Sequence, residues 1–290
     1  MAIDLDTALA APAACREIRW DTRDVLLYHL SLGAGHGADA ELGLTLEKDL
    51  TVFPTFAMVA GQGISSGPRT MERVEFPGID IDLYKVLHAG QGLVVHAPLP
   101  ATGSATVSTK VVDVWDKGKA AVIVAQSEAT GADGTLLWTA TNQIWARGEG
   151  AFGGQPGPEA GPAAPDRAPD LVVETPTWPG QALLYRLNGD MNPLHADPDF
   201  AAMAGFDRPI IHGLASYGIV AKAVVDAALD GDPTRLTGWS VRFSGSLFPG
   251  ETYRTSIWRQ DDDTLAVVTT CADRDDAPVL THAIAKVRPS

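Results

Sequence analysis

Cysteine is nearly absent. Cys15 and Cys271 are the only two, far apart and outside any metal-ligand spacing. This argues against a disulfide framework and against a cysteine-based zinc site. Positive charge is also scarce, with 22 Lys and Arg against 36 Asp and Glu and a formal net charge of −14. Nucleic-acid phosphates and anionic membrane surfaces both demand clustered cations, so neither is an expected partner. An anionic ligand held by a few local cations or a helix N-terminus stays compatible with this balance. No apolar run suits a membrane span: Leu214 to Leu229, the longest, is interrupted by Lys222 and Asp226. The N-terminal "MAIDLDTALAAPAA" has no basic region of the secretory kind, and the final "AKVRPS" is not a peroxisomal address. The expected location is cytoplasmic. There is no Gly-x-Ser-x-Gly elbow, which argues against a serine hydrolase.

What is present is a globular composition, 45% hydrophobic and 20% charged over 290 residues. That is enough for one large domain or two ordinary ones. Residues 148–170 hold six glycines and five prolines, a density that forbids a helix or a central strand. This segment reads as a linker between residues 1–147 and 171–290. The two flanking halves look alike. "LLYHLSLGA" from Leu26 is echoed by "LLYRLNGDM" from Leu183, and "HAPLPATGSATVSTKVVDVW" from His96 by "FSGSLFPGETYRTSIW" from Phe243. The same pieces in the same order point to duplication of one unit.

Each half reads as a short helix, a longer apolar helix and then several strands. The short helices are expected around Thr22–Leu32 and Thr177–Leu187, the longer ones around Thr55–Gly63 and His212–Leu229. Period-2 alternation with β-branched residues marks strands at Ala105–Val114, Ala120–Ser127, Gly238–Ser244, Tyr253–Arg259 and Thr264–Cys271. Asp197 and Pro198 look like the N-cap and first residue of a helix reaching Ala204. The 214–229 helix is apolar nearly all round, so it should be buried on most faces. One helix wrapped by an antiparallel sheet does this, and two such units side by side make an α+β double hot-dog fold.

The chemistry concentrates in Tyr185–Gly213, "YRLNGDMNPLHADPDFAAMAGFDRPIIHG". Asp190, Asn192 and His195 fall within six residues around Pro193. A turn there would let carboxylate and imidazole converge. An imidazole suits general-base work near neutral pH, and a carboxyl can supply or accept a second proton. Asn192 can fix the carboxylate or a water but cannot titrate. Gly213 opens the long apolar helix, where the first N–H groups lack intrahelical partners and a substrate carbonyl could approach. His212 reads as a structural partner. A metal held by His195, Asp197, His212 and Asp190 is possible by residue type, but no compact spacing motif supports it. The expectation is no metal.

This segment resembles the hydratase-2 signature of MaoC-like (R)-specific enoyl-CoA hydratases, through Tyr185, Leu187, Gly189, Asp190, Asn192, Pro193, Leu194, His195 and His212-Gly213. Asn188 stands where the family often has Ser. Further pieces, "FPTFAMVAGQG" near Phe53 and "LHAGQGLVVHAPLP" near Leu87 among them, extend the likeness to the two-repeat form from about Trp20 to Val287. The resemblance implies reversible hydration of trans-2-enoyl-CoA to (3R)-hydroxyacyl-CoA. It gives His195 the deprotonation of water, Asp190 the proton at C2, Asn192 the orientation of the water or of Asp190, and the Gly213 N–H the thioester oxygen. No metal or redox cofactor is implied, coenzyme A being part of the acyl-CoA substrate. Lys85, His88, Lys117, Lys119, Arg147 and Arg208 are candidate contacts for its phosphates. The first half lacks the acid–base constellation, so one site is expected, with the first repeat making room for a bulky acyl tail. Pairing of repeats becomes intramolecular, and a homodimer of such chains is compatible with it. Three alternatives stay open: an acyl-carrier-protein dehydratase, a hot-dog thioesterase and a non-enzymatic acyl-CoA binding protein.

Overall fold

The computed structural model describes residues 3–37, 40–62, 73–82, 85–159 and 163–289. In the first half the order is α1 (Leu5–Ala10), β1 (Ala14–Trp20), α2 (Thr22–Ser31), α3 (Leu42–Thr45), β2 (Arg73–Phe76), β3 (Ile79–Asp82), β4 (Val86–Val95), β5 (Gly103–Asp116), β6 (Ala120–Gly131) and β7 (Leu136–Arg147). The second half runs β8 (Leu171–Pro176), α4 (Gln181–Tyr185), α5 (Pro198–Met203), α6 (Gly213–Ala228), β9 (Leu236–Phe243), β10 (Thr252–Asp261), β11 (Thr264–Cys271) and β12 (Ala277–Val287).

Ten of these strands form one sheet in the order β1-β5-β6-β7-β4-β9-β12-β11-β10-β8, antiparallel at every pairing. The order is its own mirror: each half contributes the same five-strand series, and the halves meet through β4 and β9. Gly92 faces Ser240 at the middle of that seam. This is the double hot dog, with the duplication expressed as a pseudo-two-fold axis.

Helix α6 is the central helix of the second repeat. It is buried along nearly its whole length and packs on β8, β9, β10 and a short 3-10 turn at Pro54–Met58. Its one buried cation, Lys222, is held by Asp226 one turn on (2.7 Å) and by Glu41 of the first repeat (2.5 Å). Gly218 lets α2 approach: a Cβ there would stand 2.6 Å from Leu32 and 2.7 Å from the Tyr28 hydroxyl. The main core therefore runs through both halves, from Trp20, Tyr28 and Phe56 to Tyr185, Trp239 and Tyr253. A second, smaller core lies in the first half, where α1 and the β2–β3 hairpin cover Val111, Ile123 and Ala146.

Two expectations are corrected. The helix expected over Thr55–Gly63 is only the Pro54–Met58 turn. Gly61, at φ +70, lies so close to Ile18 that a Cβ would meet it at 2.5 Å, and Gly63 is outside the described residues. The helix expected over Thr177–Leu187 starts only at Gln181, after Trp178-Pro179-Gly180, and its last turn, Arg186–Asn188, tightens to 3-10. The Gly/Pro-rich segment joins β7, ending at Arg147, to β8, starting at Leu171, and packs on the first repeat. Asp116 accepts hydrogen bonds from the Ala151 and Gly153 N–H groups. Phe152 packs on the smaller core, and Gly157 sits against the Trp115 ring.

Candidate active site

The site is built by the irregular chain between α4 and α6. After the Arg186–Asn188 turn the chain reverses at Gly189, φ +116, a conformation that L side chains rarely adopt. A Cβ on Gly189 would also lie 2.0 Å from the Gln62 carbonyl oxygen, so first-repeat backbone sits directly on this turn. Asn188 anchors it, donating to Ser31 Oγ (3.0 Å) and to the Tyr185 carbonyl (2.9 Å). The departure from Ser at this position is thus used to bridge the repeats.

Asp190 is exposed, and one carboxylate oxygen accepts the Asn192 backbone N–H at 3.2 Å. The Asn192 side-chain oxygen caps the following turn, accepting from Leu194 N–H at 3.0 Å. Asn192 therefore touches Asp190 through its backbone, while its side chain shapes the Pro193–His195 turn. His195 is buried at 8% exposure, and its Nδ1 lies 2.9 Å from the Ile210 carbonyl. A carbonyl only accepts, so Nδ1 carries the proton and Nε2 keeps its lone pair. By the same argument His212, with Nε2 3.1 Å from the Asp190 carbonyl, carries its proton there and leaves Nδ1 bare. The two rings stack with centroids 3.7 Å apart.

Burial sets the electrostatics. It lowers the His195 pKa below the ordinary imidazole value, against the opposing pull of the Ile210 carbonyl and the Asp190 charge. It pushes His212 down to about 2, helped by His195. Both rings are neutral near pH 7, and His195 offers a free nitrogen as a base. One donor atom each from Asp190, His195 and His212 fall within 4.8 Å of one another. Ring planes stacked and tilted by only 26° do not both contain an ion at bonding distance, so the arrangement suits proton transfer better than tetrahedral coordination.

Gly213 begins α6 with His212 as N-cap, so its N–H is among the helix donors without an intrahelical partner. Phe243, at the end of β9, lines it: a Gly213 Cβ would be 3.4 Å from that ring. The sequence did not single out Phe243, nor Gln62, and only tertiary pairing brings either here.

The expected phosphate contacts scatter. Lys85 pairs with Glu149 at 2.7 Å. Lys117 lies over the Trp115 ring and donates to the Pro158 carbonyl. Lys119 and Arg147 are exposed on the first repeat, and Arg208 is exposed over Phe248. His88 departs most from expectation. Its ring packs on Phe243 at 4.5 Å, its Nε2 is buried, and burial pushes it down to about 4. It is a neutral inner group beside the site and not a surface cation.

Comparison with known proteins follows the same lines. A family model described as "MaoC like domain" matches residues 161–275, and one described as "MFE-2 hydratase 2 N-terminal domain" matches residues 19–148. The chain is 51% identical to "Enoyl-CoA hydratase ChsH3" of Mycobacterium tuberculosis over 282 residues, 97% of each protein. It is 37% identical to "3-hydroxyacyl-thioester dehydratase Y" of the same organism, covering 96% of this chain and 94% of the other. Among solved structures, a MaoC-like dehydratase from Phytophthora capsici superposes with a TM-score of 0.88 at 27% identity, covering 99% of both chains. Among the described residues, no helix is long and apolar enough to cross a membrane.

Proposed function

The chain belongs to the MaoC-like hydratase 2 family, and from that premise we propose that it adds water reversibly to trans-2-enoyl-CoA, giving (3R)-hydroxyacyl-CoA. The observation that carries this reading is the neutral His195, its Nδ1 committed to the Ile210 carbonyl and one of its ring nitrogens within 4.8 Å of an Asp190 carboxyl oxygen. In hydration His195 Nε2 takes a proton from water as its oxygen adds to C3. Asp190, in its protonated form, delivers that proton to C2, and the proton taken up by His195 returns to Asp190 to close the cycle. Negative charge gathers on the thioester oxygen in between, and the Gly213 N–H at the positive end of α6 stabilises it there. Dehydration reverses each role. His212, stacked on His195, keeps the base in its plane, and Asn192 shapes the turn that brings acid and base together. The chemistry needs no metal or redox group, since coenzyme A arrives as part of the substrate. The half-buried Lys117 and the exposed Lys119, Arg147 and Arg208 are the candidate cations left to meet its phosphates.

The first repeat's role is to make room. Its central helix is cut to the Pro54–Met58 turn, while α6 fills the second repeat. Space that a full helix would occupy is assigned to the acyl tail.

The test is loss of enoyl absorbance with trans-2-enoyl-CoA across acyl lengths, for wild type, Asp190→Asn and His195→Ala. Each substitution should cost at least about two orders of magnitude in kcat, the usual reach of a positioned acid or base. Activity surviving both changes would falsify the assignment, and a strict preference for four-carbon chains would sink the role of the first repeat. Release of free thiol would mark a thioesterase instead. Binding without turnover would mark a carrier of acyl-CoA. Action only on acyl-carrier-protein thioesters would mark a synthetic dehydratase.

A further inference from the structure

His195 is the end of a column of rings that begins in the other repeat. Tyr28 on α2 and Tyr185 on α4 stand with ring centroids 6.2 Å apart. Tyr185 stands 5.0 Å from His212, and His212 stacks on His195 at 3.7 Å. At the far end Tyr28 meets Phe56 at 5.8 Å. The tyrosine contacts have the spacing of packed aromatic pairs. Every ring is buried, from 0% exposure at Tyr28 to 8% at His195.

The two tyrosines are counterparts in the duplication, Tyr28 in "LLYHLSLGA" and Tyr185 in "LLYRLNGDM". Thr55 in "PTFAMVAG" is likewise the counterpart of His212 in "IHGLASYG". In the first repeat the Tyr28 hydroxyl donates to Thr55 at 2.8 Å. In the second that bond is gone. The Tyr185 Oη is buried without a partner among the described residues, and Tyr185 and His212 meet ring to ring. A buried hydroxyl left unpaired opposes folding. The repeat that carries the acid–base motif has thus exchanged a hydrogen bond for an aromatic contact.

The exchange bears on His195. The Ile210 bond holds one atom of its ring, Nδ1, and leaves the ring able to tilt about that atom. The face of His212 sets the plane. His212 is held at its Nε2–H by the Asp190 carbonyl, 3.1 Å away, and by the Tyr185 ring. Behind Tyr185 stands Tyr28, pinned by Thr55 and Phe56 of the Pro54–Met58 turn.

We propose that Tyr185 is a positioning residue of this site: its ring, packed against both Tyr28 and His212, holds the His212–His195 stack and with it the plane of the base. The role rests on the hydratase reading above. It ties the base to the first repeat, so the half without the acid–base motif helps to align the half that has it.

Two substitutions separate the ring from its hydroxyl. Tyr185→Phe keeps the ring and removes only the unpaired oxygen. Tyr185→Met fills the space with a flexible chain that has no flat face. With a trans-2-enoyl-CoA that the wild type turns over, Tyr185→Phe should keep kcat within about twofold. Tyr185→Met should lower kcat about tenfold or more with KM changed less than about threefold, because small misplacements of a catalytic group are costly. A loosened stack also admits water to His195. Burial is what lowers the pKa of that ring, so the acid limb of the kcat/KM profile should move to higher pH in Tyr185→Met. The charges that reach the two imidazoles, Asp190 and Arg186, are the same in both variants, which leaves the movement to the seating of His195. Tyr28→Met, one ring further from the base, should move both readouts the same way by less. Wild-type kcat in Tyr185→Met overturns the proposal. So does a fall in kcat with an unmoved acid limb, which is a loss of packing alone. A loss in Tyr185→Phe as large as in Tyr185→Met assigns the role to the hydroxyl and overturns it too. If circular dichroism shows Tyr185→Met unfolded, the other two variants decide: wild-type values in Tyr28→Met, or a large loss in Tyr185→Phe, sink the idea. A wild type inert toward enoyl-CoA sinks the functional reading itself, a result distinct from these.

Discussion

At the scale of single residues, the site depends on which nitrogen of which histidine carries a proton. The Ile210 carbonyl accepts the Nδ1–H of His195 and burial favours the neutral ring, the state that its proposed role as base requires. The sign of the pH dependence follows. A base must be unprotonated, and desolvation moves its pKa below 6.5. Activity should therefore hold through pH 6.5 and fall only in more acidic solution. The kcat/KM profile, which reports the free enzyme, checks this, and an acid limb centred at or above pH 6.5 contradicts it. Asp190, His195 and Gly213 were legible because they lie in one short stretch of chain. The atoms through which Asn192 acts were not legible: its side-chain oxygen caps a turn, and its backbone N–H meets the Asp190 carboxylate. His88 was visible only as a cation, because nothing local reveals that β4 pairs with β9 and turns the ring inward.

At the scale of elements, apolar periodicity found α6 and alternation found the strands, because those patterns are set by what each element buries. The failures have equally physical causes. "PTFAMVAG" is as apolar as a helix start, yet the chain turns at Gly61 against Ile18 and leaves one 3-10 turn. The packing of the Gly/Pro-rich linker was not legible, because composition reports what cannot form and not what the segment packs on. Packing between α2 and α6 is tight enough to predict a cost. Gly218→Val gains slightly in helix propensity but drives its side chain into Leu32 and into a Tyr28 hydroxyl already bonded to Thr55 at 2.8 Å. Overpacking of this kind costs roughly 1–3 kcal/mol and outweighs the propensity gain. Urea unfolding should show a loss of about 2 kcal/mol, and unchanged stability would mean that the two helices part easily.

At the scale of the whole molecule, the two halves are joined by sheet, ion pair and backbone contacts. β9 takes its ladder from β4. Lys222, buried on α6, takes one of its two carboxylates from Glu41. The Gly189 turn is packed under Gln62, and Asn188 is tied to Ser31. A second copy of residues 171–290 would not replace these contacts, since it presents Arg186 where the first repeat has His29 and His212 where that repeat has Thr55. His29 accepts the Phe53 N–H and bonds the Leu44 carbonyl from inside the core, a role closed to an arginine. Residues 171–290 expressed alone should thus lack a cooperative unfolding transition and hydratase activity, with β9 left as an unpaired apolar edge prone to aggregate. Supplying residues 1–160 as a separate chain should restore both, measured by circular dichroism and enoyl-CoA turnover. A folded, active 171–290 fragment would show that the first repeat is an accessory, and that its contacts with the Asp190 turn are packing alone.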